Sequence, residues 1–299
     1  MKKVGIVGIG DMGSGLAKNL INAGFELSGY DLKPDRMSAF TDMGGKPCAH
    51  SAAVGRAAQT VFIMVMNGDE MNDVVFGNDG TGGLASTMTP GSVIVLTATI
   101  KPKEARQLAR GLDGTGLLVV DSPVSGGRPG ADGGTLTLMA AGSDDALRAA
   151  RPAMDAISAT IHRVGTDIGM GQTVKACLQS LIGSIFTGAF EATALAAKSG
   201  VDGQVLFDVF STSAAGCGIT NAAVGNVING TFEKTGSHIN TMHKDLTISL
   251  DLAMDMGVPL FTASTAMQLF QAGRTRHPDG DNQVVAKISE EIIGTGLRR

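Results

Sequence analysis

Cysteine is scarce. Cys48, Cys177 and Cys217 are the three in 299 residues, widely spaced and without a C-x-x-C pair, which argues against a disulfide framework and against a zinc site. A reducing, cytoplasmic setting is expected. Basic runs are missing too: Lys plus Arg is 24 against 28 for Asp plus Glu, a formal charge of −4, so neither nucleic acid nor an acidic membrane surface is an expected partner. The opening "MKKVGIVGIGDMG" has two lysines, but its apolar stretch is too short for a signal-peptide core with a cleavage site. The run "LIGSIFTGAFEATALAA" (181–197) is long enough to raise the question of a membrane span, yet Glu191 interrupts it and no positive flank follows. It reads as a buried helix. These absences leave a soluble chain whose partner is a small molecule.

Glycine, by contrast, is abundant, 42 residues, about twice the usual share. The glycines lie between apolar runs, where tight turns and close backbone contacts use them, so low complexity is not the explanation. In the first half, β-rich runs alternate with helical patterns: "VGIVGI" (4–9), "FELSGYD" (25–31), "VFIMVM" (61–66), "SVIVLT" (92–97), "LLVVD" (117–121) and "LTLMAA" (136–141). Alternation of this kind predicts an α/β fold, a Rossmann-type doubly wound parallel sheet with helices on both faces, over residues 1–163. Beyond it the β-branched runs stop. Long helical patterns fill 164–299, predicting an all-α C-terminal domain, with "GTDIGMG" (165–171) as the break and Gly257 and Pro259 ending a later helix.

The first strand runs directly into "GIGDMG" and then an amphipathic helix. In that context Gly8 permits the tight turn, Gly10 lets the backbone approach a pyrophosphate and Gly13 lets helix and strand pack closely. The segment Gly8, Ile9, Gly10, Asp11, Met12, Gly13 is therefore a candidate dinucleotide cradle, with free N–H groups at the helix start. Asp31 ends the second strand, where a carboxylate accepts from ribose hydroxyls and repels a 2′-phosphate. NAD is favoured over NADP, although Lys33 and Arg36 nearby soften that preference. Ligands in such sheets lie beyond the carboxyl ends of the strands, which adds Met66 and Asn67, Thr97 and Thr99, and the loop "DSPVSGGRPGADGG" (121–134). Successive N–H groups at Ser125, Gly126 and Gly127 suit a carboxylate; taken alone, the same loop is also an ordinary flexible turn.

"GMGQTVKACLQSL" (169–181) puts Lys175 early in the most apolar helical pattern, on one face with Leu178, Gln179 and Ile182. A buried ammonium is costly unless it is paired or gives up its proton. Alone, a snorkelling lysine accounts for it. A nicotinamide enzyme that oxidises an alcohol, however, needs a group to take the hydroxyl proton, and none of His50, His162, His238, His243 or His277 sits in a comparable motif. A lysine whose pKa is lowered by burial near the positive nicotinamide ring does the same work.

At this point the chain resembles a known family. "GIGDMGSGLAKNL", "TATIKP", "DSPVSGGRPGADGGTLTLMAAG", "GMGQTVKACLQ" and "KDLTISLDLAMDMGVP" are similar, in order, to the signatures of the β-hydroxyacid dehydrogenases, which include 3-hydroxyisobutyrate dehydrogenase, tartronate semialdehyde reductase and 6-phosphogluconate dehydrogenase. The resemblance implies an NAD-dependent dehydrogenase of a small β-hydroxy acid that assembles as a homodimer or homotetramer. It implies that Lys175 is the catalytic acid/base, that Ser125, Gly126 and Gly127 grip the substrate carboxylate, and that Thr99 and Lys244 line the nicotinamide end.

One departure stands out. The family usually places Asn three residues after the lysine; here Leu178 stands there, followed by Gln179, whose amide is expected either to reach the substrate from a different angle or to bond elsewhere. The His-Asn pair of the 6-phosphogluconate dehydrogenases is missing. "TVK" (173–175), Gln179 and "AAG" (214–216) give a partial similarity to L-threonate dehydrogenases, which carry His at the place of Leu178. Small residues in "CGIT" (217–220) are expected to leave room for a longer acid, or else Cys217 and Ile219 are ordinary core packing; His243 reads as structural, and the 15 methionines as core filling. Two other readings remain open from sequence: a semialdehyde or glyoxylate reductase working in reverse, and an NAD-binding scaffold that has lost catalysis.

Overall fold

The apolar runs of the first half form one sheet in the computed structural model, which describes residues 2–78, 80 and 82–297. In chain order the elements are β1 (Lys3–Val7), α1 (Asp11–Asn22), β2 (Glu26–Tyr30), α2 (Pro34–Asp42), β3 (Lys46–Pro47), α3 (Ser51–Ala57), β4 (Thr60–Ile63), α4 (Gly68–Phe76), β5 (Val93–Leu96), α5 (Pro102–Gly111), β6 (Leu118–Asp121), β7 (Val124–Ser125), α6 (Gly127–Gly133), β8 (Leu136–Ala141), α7 (Asp144–Asp155) and β9 (Ser158–Gly165). The helical part follows as α8 (Met170–Lys198), α9 (Gly203–Thr212), α10 (Gly218–Ile228), α11 (Ile239–Met256), α12 (Phe261–Arg276) and α13 (Val284–Ile293).

The strands lie in the order β3-β2-β1-β4-β5-β6-β8-β7, with β9 beside β8. β1 to β6 are parallel. The chain leaves β1 toward β2 and later returns to β4 on its other side, so the switch point falls between β1 and β4, where such sheets bind ligands. The sheet is parallel-dominated, as expected, with a reversal at its far edge, where β8 runs antiparallel to both β6 and β7. A tight connection such as β7-α6-β8 reverses the chain, whereas a parallel return needs a long crossover.

Both faces of the sheet are covered, and β5 shows why its sequence is a continuous apolar run. Val93 and Val95 enter one core with Ile6, Leu16 and Phe62, while Ile94 and Leu96 enter the other with Ile63, Met71 and Leu108. Each such side chain contributes about 1.5–3 kcal/mol relative to leaving it in water.

The chain divides into two compact units, the first ending at Lys175 and the second beginning at Ala176. The division falls inside α8. In the second unit, Phe186 and Phe190 of α8 stack at 5.8 Å between centroids, and Phe186 meets Phe270 of α12 edge-on at 6.3 Å. Val224 and Val227 of α10, Leu246 of α11 and Val285 of α13 complete this core. α8 is long and apolar enough to cross a membrane by length and composition, yet Phe186 and Phe190 are 4% and 1% exposed inside the second unit's core, which accounts for its hydropathy.

The first turn of α8 belongs to the first unit because of Asp121. This residue ends β6 fully buried. Its Oδ2 accepts hydrogen bonds from Gly169 N at 2.8 Å and Gln172 N at 3.2 Å, and its Oδ1 accepts from Gln172 Nε2 at 3.0 Å. The N–H groups at a helix start have no partners within the helix, so the carboxylate caps α8 from another element. Gln172 then reaches across to the next strand: Nε2 also donates to Ala98 O at 3.0 Å, and Oε1 accepts from Ile100 N at 3.1 Å. Close packing completes the joint, since a Cβ on Gly171 would stand 2.5 Å from Met139 O and 2.7 Å from Asp121 O.

Burial pushes the Asp121 carboxyl from its ordinary 3.8 up to about 6, against the opposing pull of the hydrogen bonds from Gln172 and Gly169. Between these values the folded chain holds a proton that the unfolded chain releases, so the stability from this group is fully present below pH 3.8 and is lost as pH rises through about 6. The sum is about 3 kcal/mol at 1.36 kcal/mol per pH unit. Urea unfolding of the parent and of Asp121→Asn at pH 4.5 and 7 is expected to show the parent losing stability relative to the variant on going to pH 7. A pH-independent difference would remove Asp121 as the titrating group.

Candidate active site

The cradle at the end of β1 is shaped by backbone approaching backbone. Gly8 has φ +88°, and a Cβ there would stand 2.2 Å from Met64 O; one on Gly13 would stand 2.0 Å from Gly8 O. No larger residue fits either position. Gly10 precedes α1 without a side-chain cap, so the first-turn N–H groups at Asp11, Met12 and Gly13 lie at the positive end of the helix dipole, an arrangement suited to an anion. Asp31, buried at 9% exposure, closes this loop: its Oδ2 accepts from Ile9 N at 2.7 Å and its Oδ1 from Lys33 N at 2.9 Å. Arg36 Nη1 lies 3.4 Å from the same Oδ2, and a Cβ on Gly10 would lie 3.4 Å from that nitrogen. The glycine loop and Asp31 are thus one construction, and its residues fit an adenosine ribose with a pyrophosphate on α1.

The neighbouring strand ends divide into structural and available groups. Thr97 is buried and donates Oγ1 to Ile63 O at 2.8 Å, which ties β5 to β4. Met66, just beyond β4, is 50% exposed; its N–H donates to Glu70 Oε2 at 2.9 Å, while Asn67 caps α4 by accepting from Glu70 N at 2.9 Å. Thr99 is half-buried after β5. Beyond β7, Ser125 is half-buried, and Gly126 and Gly127 have φ +129° and +57°, a turn that strains any residue with a side chain.

Lys175 is 7% exposed. It follows Gln172 by three residues, so the two lie on the same side of α8. Gln172 bonds to the ends of β5 and β6, so Lys175 emerges one turn beyond them. The same strand ends lead to Thr99 and to the loop carrying Ser125.

Gln179 and Lys244 belong to the second unit, where one acid joins them. Gln179 Nε2 donates to Asp245 Oδ2 at 2.5 Å, and Lys244 Nζ lies 2.8 Å from Asp245 Oδ1. His243 bridges α11 to α12: Arg274 Nη1 donates to its Nδ1 at 3.2 Å, which leaves Nε2 to donate to Gln271 Oε1 at 2.6 Å. Burial and the nearby Arg274 charge hold its pKa below the ordinary histidine value, although the Gln271 bond opposes them. Cys217 is an exposed cap of α10, its thiol held below the usual value by hydrogen bonds from Thr220; Ile219 packs against the helical core. The residues that sequence reasoning passed over are Asp121, Gln172 and Asp245. Each sits beside a motif residue but has its partner on a distant element.

Residues 3–165 match the family model of the NAD binding domain of 6-phosphogluconate dehydrogenase, and residues 169–289 that described as NAD-binding of NADP-dependent 3-hydroxyisobutyrate dehydrogenase. An L-threonate dehydrogenase of Cupriavidus necator is 35% identical over 288 residues, 96% of each chain. A crystal structure of 3-hydroxyisobutyrate dehydrogenase from Salmonella typhimurium superposes with a TM-score of 0.87 at 32% identity, covering 96% of this chain and 100% of that one. The Mycobacterium tuberculosis 3-hydroxyisobutyrate dehydrogenase with L-serine gives 0.85 at 26% identity, covering 96% and 99%. With a glycine loop from Gly8 to Gly13 closed by Asp31, a doubly wound first unit, an α-helical second unit and relatives of this kind along nearly its whole length, the chain belongs to the β-hydroxyacid dehydrogenase family and is an NAD-binding hydroxyacid dehydrogenase.

Proposed function

We propose that the enzyme oxidises a small β-hydroxy acid of the L-threonate class, with Lys175 as general acid/base and Ser125, Gly126 and Gly127 as the carboxylate site. One observation supports this reading: a nearly buried lysine one helical turn beyond Gln172, whose amide is bonded to Asp121 at the end of β6 and to Ala98 just past β5. The L-threonate substrate class is supported by the relative at 35% identity. NAD, when bound, supplies the hydride acceptor. The chain supplies everything else. The cradle at Gly8, Ile9, Gly10, Asp11, Met12 and Gly13 holds the pyrophosphate, Asp31 the adenosine ribose, and Met66 covers the cofactor with its exposed side chain. The turn at Gly126 and Gly127 presents backbone N–H groups to the substrate carboxylate, with Ser125 Oγ beside them. Lys175 Nζ takes the proton from the substrate hydroxyl as the C–H bond breaks, and returns it in the reverse direction. One turn further along the same helix, Gln179 turns its NH2 to Asp245 and offers its carbonyl oxygen to a substrate hydroxyl. The cysteines are free thiols, which supports a cytoplasmic setting.

Assembly is part of the reading. None of α9 is buried, and its apolar Val205 and Val209 are 55% and 56% exposed, as Leu195 of α8 is at 71%. We propose that further copies of the chain cover these residues in a homodimer or homotetramer.

Three measurements check the reading. Lys175→Ala is expected to lower kcat by roughly 10²- to 10⁴-fold, the usual worth of a general acid/base, with NAD affinity unchanged; a loss much smaller than that takes the role from Lys175. In Asp31→Ser the 2′-phosphate meets no carboxylate and Arg36 is released. The ratio of kcat/KM for NAD to that for NADP should fall roughly tenfold or more, ~1.4 kcal/mol per tenfold; an unchanged ratio removes Asp31 as the selector. Light scattering after gel filtration should give a mass of two or four chains, and a monomer would exclude the assembly.

A further inference from the structure

α1 and α6 lie side by side in the first unit with no room between them. A Cβ on Gly15 would come within 2.6 Å of the Ala131 carbonyl carbon and 2.8 Å of its oxygen. Toward the end of α1, Asn19 Nδ2 donates to Ala131 O at 2.7 Å as well as to Gly15 O of its own helix at 2.9 Å, and a Cβ on Gly134 would stand 3.0 Å from Asn19 Oδ1. At the other end, Arg128 Nη1 pairs with Asp11 Oδ1 at 2.9 Å. That ion pair is exposed and contributes little by itself. The Asn19 amide is the directional part of the contact. The two helices serve different ligands, since α1 begins at the dinucleotide cradle and α6 begins at Gly127, the last residue of the Ser125–Gly127 loop. A helix of seven residues is far too short to hold its own place in water, so its neighbours decide where it sits.

We propose that Asn19 is a positioning residue for the dehydrogenase reaction: by tying α6 to α1 it fixes the Ser125–Gly127 loop relative to the cofactor cradle, and with it the substrate carboxylate. The proposal rests on the reading that this loop holds that carboxylate. Loss of the tie lets the loop drift while the cradle, built from β1, β2 and the start of α1, keeps its shape. The consequence is a split between the two ligands: weaker substrate binding with unchanged cofactor binding.

The test uses Asn19→Leu, which removes the donors, Gly15→Ala, which wedges α6 away while leaving Asn19 intact, and Ser125→Ala. The probe is whichever of L-threonate, 3-hydroxyisobutyrate, glycerate and L-serine the parent turns over with the highest kcat/KM. Asn19→Leu and Gly15→Ala are expected to raise KM for that acid on the order of tenfold, the scale of a misplacement well under 1 Å, with NAD Kd by calorimetry unchanged and a smaller effect on kcat. Ser125→Ala is expected to raise the same KM. If Ser125→Ala raises KM and Asn19→Leu does not, Asn19 has no positioning role. If Ser125→Ala leaves KM unchanged, or no acid of the panel turns over, the carboxylate reading falls and the proposal falls with it. If Asn19→Leu weakens acid and NAD alike, in step with a lowered Tm, the residue is merely structural and the proposal is overturned.

Discussion

A carboxylate buried at the end of a central strand is the contact on which the rest of this molecule depends. Burying the Asp121 charge is unfavourable, and so is burying the unpaired N–H groups that begin a helix. Each deficit is the remedy for the other. Three donors from Gly169 and Gln172 surround the Asp121 oxygens, and in return the start of α8 is fixed to the sheet. Breaking such a contact from one side leaves the other side buried and unpaired, which is why its loss costs more than its formation contributes. Gln172 makes the joint rigid in a further way. Its amide is oriented by Ala98 O on one atom and Ile100 N on the other, so it cannot flip to accommodate a change at Asp121.

The cofactor end of the first unit rests on a different principle, the closeness of backbone to backbone. Gly8 and Gly13 leave no space for a Cβ, and this lets the loop turn tightly enough for α1 to start against the end of β1. Asp31 stiffens the loop before any ligand arrives, because its two oxygens already accept from Ile9 N and Lys33 N. A loop held in its binding shape loses little conformational freedom on association. Arg36, half-exposed beside Asp31, tempers the negative charge of that carboxylate.

Much of this was legible in the sequence because the signals are local. The glycine spacing, the apolar runs of β1, β4 and β5, and the abrupt change to helical pattern all follow from neighbours within a dozen residues or so. The elements that escaped lack such signals. β3 and β7 are two residues each, and β9 lies at the sheet edge with His162, Arg163 and Thr160 exposed, so it shows no alternation of buried and exposed positions. Asp121 looks in sequence like any acid ending a strand, and its partner Gln172 is 51 residues away. Gln179 reads as a substrate group because it stands one turn from Lys175; that its NH2 goes to Asp245, 66 residues on, depends on a helix packing that no local pattern encodes.

The placing of Lys175 carries the proposed reading. The lysine is the last residue of the first unit, the same unit that holds the dinucleotide cradle, Asp31 and the Ser125–Gly127 turn. Gln172, three residues before it on the same side of α8, is fixed in turn by Asp121. The proposed role of Lys175 in proton transfer therefore rests on a helix turn that the sheet itself holds through Asp121.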